Sequence, residues 1–132
     1  MTKFALEEIK IELDENETIC DFYSLTINGR NKFDEFKSFC DKNSFSDEFI
    51  KIQTLILTIA KGNERMLPNT KLKQLKRGKK DKIPDFEIKT KHLRLYFVKE
   101  SNNRIVIMGG KKTNQTKDII KLRGITKNYY NQ

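Results

Sequence analysis

The stretch HLRLYFVKESNNRIVIMGG, residues 92–110, narrows the possible folds more than any other part of the chain. Leu93, Leu95 and Phe97 alternate with Arg94, Tyr96 and Val98, which is the period of a strand. SNN supplies a turn, RIVIM returns as a second strand, and Gly109-Gly110 is expected to end it. Two such apolar neighbours belong in the middle of a sheet. Just before them, DFEIKTK sets Phe86, Ile88 and Thr90 on one face and Glu87, Lys89 and Lys91 on the other. The alternation therefore predicts one sheet face carrying Lys89, Lys91, His92, Arg94 and Tyr96, and an apolar opposite face to receive helices.

Two helices are expected to fill that role. Residues 31–42 place Phe33, Phe36 and Cys40 along one side. Residues from Ser46 to Gly62 have a capping serine, acids at Asp47 and Glu48, and a stripe of Phe49, Ile52, Ile56 and Ile59. Such a stripe is core rather than a ligand box. A short polar turn makes the two an antiparallel pair. At the N-terminus, Ile9-Lys10-Ile11-Glu12-Leu13 has strand period, residues 19–27 read as a second strand, and the polar tip between them suggests a hairpin. The tail from Thr116, a candidate cap, reads as a last helix packed through Ile119, Ile120 and Tyr130 and weakened by Gly124.

Charge is divided unevenly. Residues 1–50 carry six Lys/Arg and twelve Asp/Glu, whereas residues 51–132 carry 21 and six, a balance of +15. The run KLKQLKRGKKDK, residues 71–82, holds seven cations and one acid. It reads either as a basic loop or as a solvated linker. A half-chain this basic attracts polyanions, with nucleic acid the leading partner and plain surface solvation the alternative. No basic helix has an apolar face strong enough to favour a membrane surface, and the apolar run LILTIA is too short to span a bilayer. MTKFALEEIK lacks the pattern of a secretory signal. Cys20 and Cys40 have no CxxC spacing and suit free thiols in a reducing cytoplasm better than a bridge. One His makes a structural zinc site improbable, and no metal or cofactor is expected.

Sequence motifs for serine hydrolases, P-loop enzymes and zinc proteases are absent. Two chemistries fit the cationic face, to which Lys111 and Lys112 add beyond the next strand. One is metal-free RNA cleavage, in which the 2′-OH attacks the neighbouring phosphorus. A lysine or histidine then moves protons while an arginine fork steadies the phosphate. The other is plain binding, with the cations on phosphates and Tyr96 stacked on a base. Each residue also has a structural reading. Arg94 would pair with Glu87 across the first two strands, and His92 would be solvated or structural.

The order of elements resembles a known family. Two helices, then EIKTK, LRLYF, a turn, RIVIM and GGKKTNQTKDI look like the RelE/HigB superfamily of bacterial toxins, nearest its phage-derived HigB branch. The likeness spans residues 31–120 by layout and 86–119 by motif. It implies an α+β, RelE-like fold: a small antiparallel sheet with two helices on one face, and a C-terminal helix. A single domain, 1–132, would comprise an N-terminal hairpin extension, 1–28, and a core, 29–132.

The resemblance also implies a toxin of a type II toxin–antitoxin pair that cleaves mRNA on the ribosome. Its partners would be mRNA, the ribosome and a cognate antitoxin. Lys89 matches the family's base or phosphate contact, Arg94 its phosphate-steadying arginine, and Lys112 its leaving-group acid or clamp. Lys91, His92, Tyr96, Lys111, Lys73, Lys76 and Arg77 would help to place RNA. Glu87 stands where one branch has a second lysine, Lys112 stands where the family often has arginine, and no tyrosine follows the last strand closely. A ParE-like gyrase inhibitor and a non-enzymatic nucleic-acid binder remain as alternatives.

Overall fold

A computed structural model describes residues 1–10, 18–75 and 83–132. In chain order the elements are β1 (Phe4–Glu8), β2 (Phe22–Ile27), β3 (Arg30–Asn31), α1 (Lys32–Lys42), α2 (Ser46–Ala60), β4 (Leu72–Gln74), β5 (Asp85–Lys89), β6 (Leu93–Glu100), β7 (Asn103–Lys111) and α3 (Gln115–Tyr130). The strands form one sheet in the order β1-β2-β7-β6-β5-β4, with β3 beside β2. The fold is α+β, as expected, but the sheet is mixed rather than wholly antiparallel. The β5–β6–β7 meander is antiparallel throughout, and β2 joins its free side in parallel. α1 and α2 carry the chain across between β2 and the meander, as a parallel pairing requires.

Local chemistry explains most boundaries. Asn28 and Gly29 both take left-handed φ values, 51° and 81°. They turn β2 back onto β3 and into α1, whose cap is Asn31 accepting from Asp34 N. α2 begins at Ser46 without a side-chain cap. The serine hydroxyl donates to Asp41 instead of capping the helix. Thr116 likewise lies inside α3, two residues past the cap position at Asn114. The N-terminal hairpin is present, but β1 occupies Phe4–Glu8, ahead of the alternating segment that begins at Ile9. Ile9 N still donates to Phe22 O, and the remainder of that segment lies outside the described residues.

The two faces of the sheet are both covered. On one side Phe36, Phe49, Ile52, Ile56 and Ile59 from α1 and α2 pack on Phe22, Ile88, Leu93, Leu95, Phe97 and Val106. On the other, Leu122 of α3 packs on Leu25, Tyr96, Val98, Ile105 and Ile107, with Ile119, Ile125 and Tyr129 around them. This corrects the expectation of an open cationic face. An apolar stripe on α3, hard to see beside its lysines, closes over the strands. A bulge sharpens the effect: Tyr96 faces Met108 while Phe97 faces Val106, so Ile107 is an extra residue. The consecutive residues Ile107 and Met108 thereby both reach the α3 side.

Gly109 and Gly110 do not end the last strand. β7 runs through them to Lys111. A Cβ at Gly109 would collide with the Phe36 ring, and one at Gly110 with the Asp118 carboxylate. The glycines allow α1 and α3 to approach the backbone from opposite faces. Cys20 and Cys40 are free and buried, and burial pushes the Cys40 thiol up to about 11. Among the described residues no helix is long and apolar enough to cross a membrane.

Candidate functional site

One end of the meander gathers most of the predicted residues. Lys89 ends β5 and is the cross-strand partner of Arg94, which in turn faces Gly110 on β7. Lys91 and His92 lie in the turn between β5 and β6. Leu93 pairs with Lys111, and Lys112 N donates to His92 O at 2.8 Å. Lys89, Lys91, His92, Arg94, Lys111 and Lys112 therefore come from three adjoining segments to one edge of the molecule. Period two brings this about, together with the register that the 101–102 turn imposes on β6 and β7.

Their side chains do not share one surface. Arg94 and Tyr96 lie beneath α3, 6% and 0% exposed, which overturns their placement on an open face. The Arg94 Nη1 donates to Thr90 O and to Leu93 O, both at 2.7 Å, so the guanidinium braces the turn it follows. Its Nε and the Tyr96 hydroxyl have no hydrogen-bond partner among the described residues. Burial, and next the Glu87 charge, push the Tyr96 phenol well up from its ordinary value. The pairing of Arg94 with Glu87 anticipated from sequence is not the one formed. Glu87 is buried and takes Lys89 at 3.4 Å and Gln115 Nε2 at 2.6 Å.

His92 turns the other way, toward the first turn of α2. Its ring Nδ1 is 3.0 Å from Glu48 Oε2, and the ring packs on Phe45. Glu48 also accepts from the backbone of His92 and Leu93 and from the Thr90 hydroxyl. Burial alone would push this carboxyl up. The hydrogen bonds from Thr90 and His92 overcome that and hold it below the usual glutamate range. His92 is consequently a structural partner as well as an exposed group. Glu48 was missed in the sequence because nothing there links residue 48 to residue 92.

Lys91 and Lys112 are exposed. Lys111 is half-buried, with its Nζ 6.0 Å above the Phe39 ring on the α1 side. Lys73 is exposed on edge strand β4, opposite Glu87. Lys76 and Arg77 lie outside the described residues. Asp118 was also missed. It sits against Gly110, and burial raises its carboxyl above the usual range despite Lys121 and Lys117. A half-buried carboxylate beside a cation cluster is a functional candidate on physical grounds. The arrangement can hold an anion at Lys91 and Lys112 directly, whereas Lys89 and Arg94 already have partners. No family model matches the chain, and no curated protein or solved structure matches it either.

Proposed function

We infer that the protein is a toxin of the RelE/HigB kind, acting on mRNA at the ribosome and held inactive by a cognate antitoxin. The observation that carries this reading is the convergence of Lys89, Lys91, His92, Arg94, Lys111 and Lys112 at one end of three adjoining strand segments. Supporting it are the two helices on one face of the sheet and the surplus of cations in the second half of the chain. Metal-free cleavage would follow from 2′-OH attack on the adjacent phosphorus, with the hydroxyl proton passing to Lys89 as base and the P–O5′ bond breaking to leave a 2′,3′-cyclic phosphate. Lys112, exposed and unrestrained by the core, protonates the 5′ oxygen or clamps the phosphate. Lys91 and Lys111 hold the flanking phosphates. Lys89 and Arg94 stand behind them. A phosphate reaching Lys89 competes with Glu87, and one reaching Arg94 needs α3 to yield.

Those two restraints favour a second reading, a basic protein that binds RNA without cutting it. Addition to a translating extract separates the readings. Cleaved message, reduced about 100-fold in rate by Lys112→Ala with the fold intact, supports the toxin. Intact message with arrested DNA supercoiling would instead place the protein among gyrase inhibitors of the ParE kind. Intact message and unaffected supercoiling, with RNA binding that weakens uniformly in salt, supports the binder.

A further inference from the structure

β7 outruns its neighbour. β2 pairs with it only at Phe22↔Arg104, Tyr23↔Ile105 and Ser24↔Val106, while β6 pairs with it as far as Lys111. Beyond Val106, the edge of β7 that faces away from β6 has no strand beside it among the described residues. The ladder itself says which groups line that edge. The bond from Lys112 N to His92 O makes Leu93↔Lys111 a non-hydrogen-bonded pair, and alternation makes Leu95↔Gly109 another. Gly109 and Lys111 therefore turn their N–H groups outward, and Gly109 its carbonyl as well.

This edge forms the floor of a cleft of about 250 Å3 between α1 and α3. Phe36 and Phe39 line it from α1, and Asp118, Lys121 and Ile125 from α3. The two glycines leave the backbone bare between the walls. Lys32, Lys111 and Lys121 stand around the cleft. Lys32 is matched by Glu35 at 3.0 Å, which leaves Lys111 and Lys121 as the cations on offer to a guest.

We propose that this edge accepts an extended, acidic segment of a partner protein as an added strand. Its main chain bonds Gly109 and Lys111, its carboxylates meet Lys111 and Lys121, and its apolar side chains meet Phe39 and Ile125. Added strands take affinity from main-chain hydrogen bonds and specificity from the pockets that receive alternate side chains. RNA fits the cleft less well. It has no evenly spaced N–H and C=O groups to match the edge. The inference does not rest on the toxin reading and stands even if the protein cleaves nothing.

The test uses the isotope-labelled full chain and a seven-residue peptide, Glu-Glu-Val-Val-Glu-Glu-Val, which puts both residue types on each face of an added strand. The peptide is expected to bind and to slow hydrogen exchange at the Gly109 and Lys111 amides at least tenfold. A backbone N-methylated copy and a Lys/Val copy are expected to fail. Lys121→Glu, with an unchanged amide spectrum elsewhere, should weaken the Glu/Val peptide about tenfold and admit the Lys/Val one. Equal binding of the N-methylated peptide, or unaltered exchange at both amides, overturns the proposal. So does protection of the same amides by an oligoribonucleotide when the peptide gives none.

Discussion

Arg94 shows how one residue type supports opposite readings. A cation in the middle of an apolar strand has to find a partner, and an RNA phosphate and a protein carbonyl are both adequate. The chain uses carbonyls. Arg94→Ala should therefore cost roughly 2–4 kcal/mol, because it removes charge-assisted bonds and leaves Thr90 O and Leu93 O without them. Urea denaturation measures this, and a residue serving RNA alone would show no change. Tyr96 carries the opposite expectation. Its buried hydroxyl bonds nothing among the described residues, so Tyr96→Phe should leave stability unchanged or raise it by about 1 kcal/mol in the same assay. Alternation placed both residues on the correct face of β6. It could not reveal that α3 covers that face, since period two describes a strand and not what lies over it.

At the scale of elements, the polar contact between α2 and the β5–β6 turn centres on the Glu48 carboxylate. Glu48 in the first turn of α2 gathers donors from Thr90, His92 and Leu93. Because its folded-state affinity for a proton is lowered, its contribution is fully present above the ordinary glutamate value, about 4.3. That contribution fades as pH falls through the lower folded value. The stability gap between wild type and Glu48→Gln should thus narrow in acid, which paired denaturation curves at successive pH values would show. For Asp118 the sign reverses: burial raises its carboxyl, so what it contributes in acid is lost as pH rises through the raised value. α3 offers a cleaner case. Gly124 lies within the helix with nothing within 4 Å of an added Cβ, so Gly124→Ala should raise stability by about 1 kcal/mol in thermal or chemical melts.

These elements also show what could be read in advance. The α1 and α2 stripes, the three meander strands, the turn at 101–102 and the hairpin character of the N-terminus all follow from local periodicity and turn chemistry. Gly109-Gly110 was legible as special but not as continuous strand, because its cause is the approach of Phe36 and Asp118 from distant segments. The parallel placement of β2 likewise depends on where α1 and α2 carry the chain. In the candidate site, the gathering of Lys89, Arg94 and Lys112 followed from strand order. The diversion of Arg94 to carbonyls and of His92 to Glu48 did not, since both partners are set by tertiary packing.

For the whole molecule, the division of charge governs behaviour toward a polyanion. The acidic first 50 residues and the basic remainder sum to a net charge of +9. If Lys73, Lys91, Lys111 and Lys112 each neutralise one phosphate of a single strand, the logarithm of affinity falls against that of salt with a slope of about −3. Fluorescence anisotropy with a short oligoribonucleotide measures it. Lys91→Ala should make the slope shallower by about 0.7, and a slope near zero would remove phosphate contact from the account altogether.

The same molecule holds its first large strand against its last. Phe22 and Arg104 are neighbours in the parallel rung, so during synthesis β2 leaves the ribosome long before the strand that will flank it exists. At about 5–20 residues per second, that wait lasts several seconds. The meander closes through short turns, whereas seating β2 must overcome the entropy of a long loop. Assembly is therefore expected to end with the N-terminal hairpin docking onto a preformed β7, and pulsed hydrogen exchange that protected β2 before β7 would refute this order. Until it docks, the buried side of β2 stays open to other chains, and the yield of folded protein depends on how crowded that interval is.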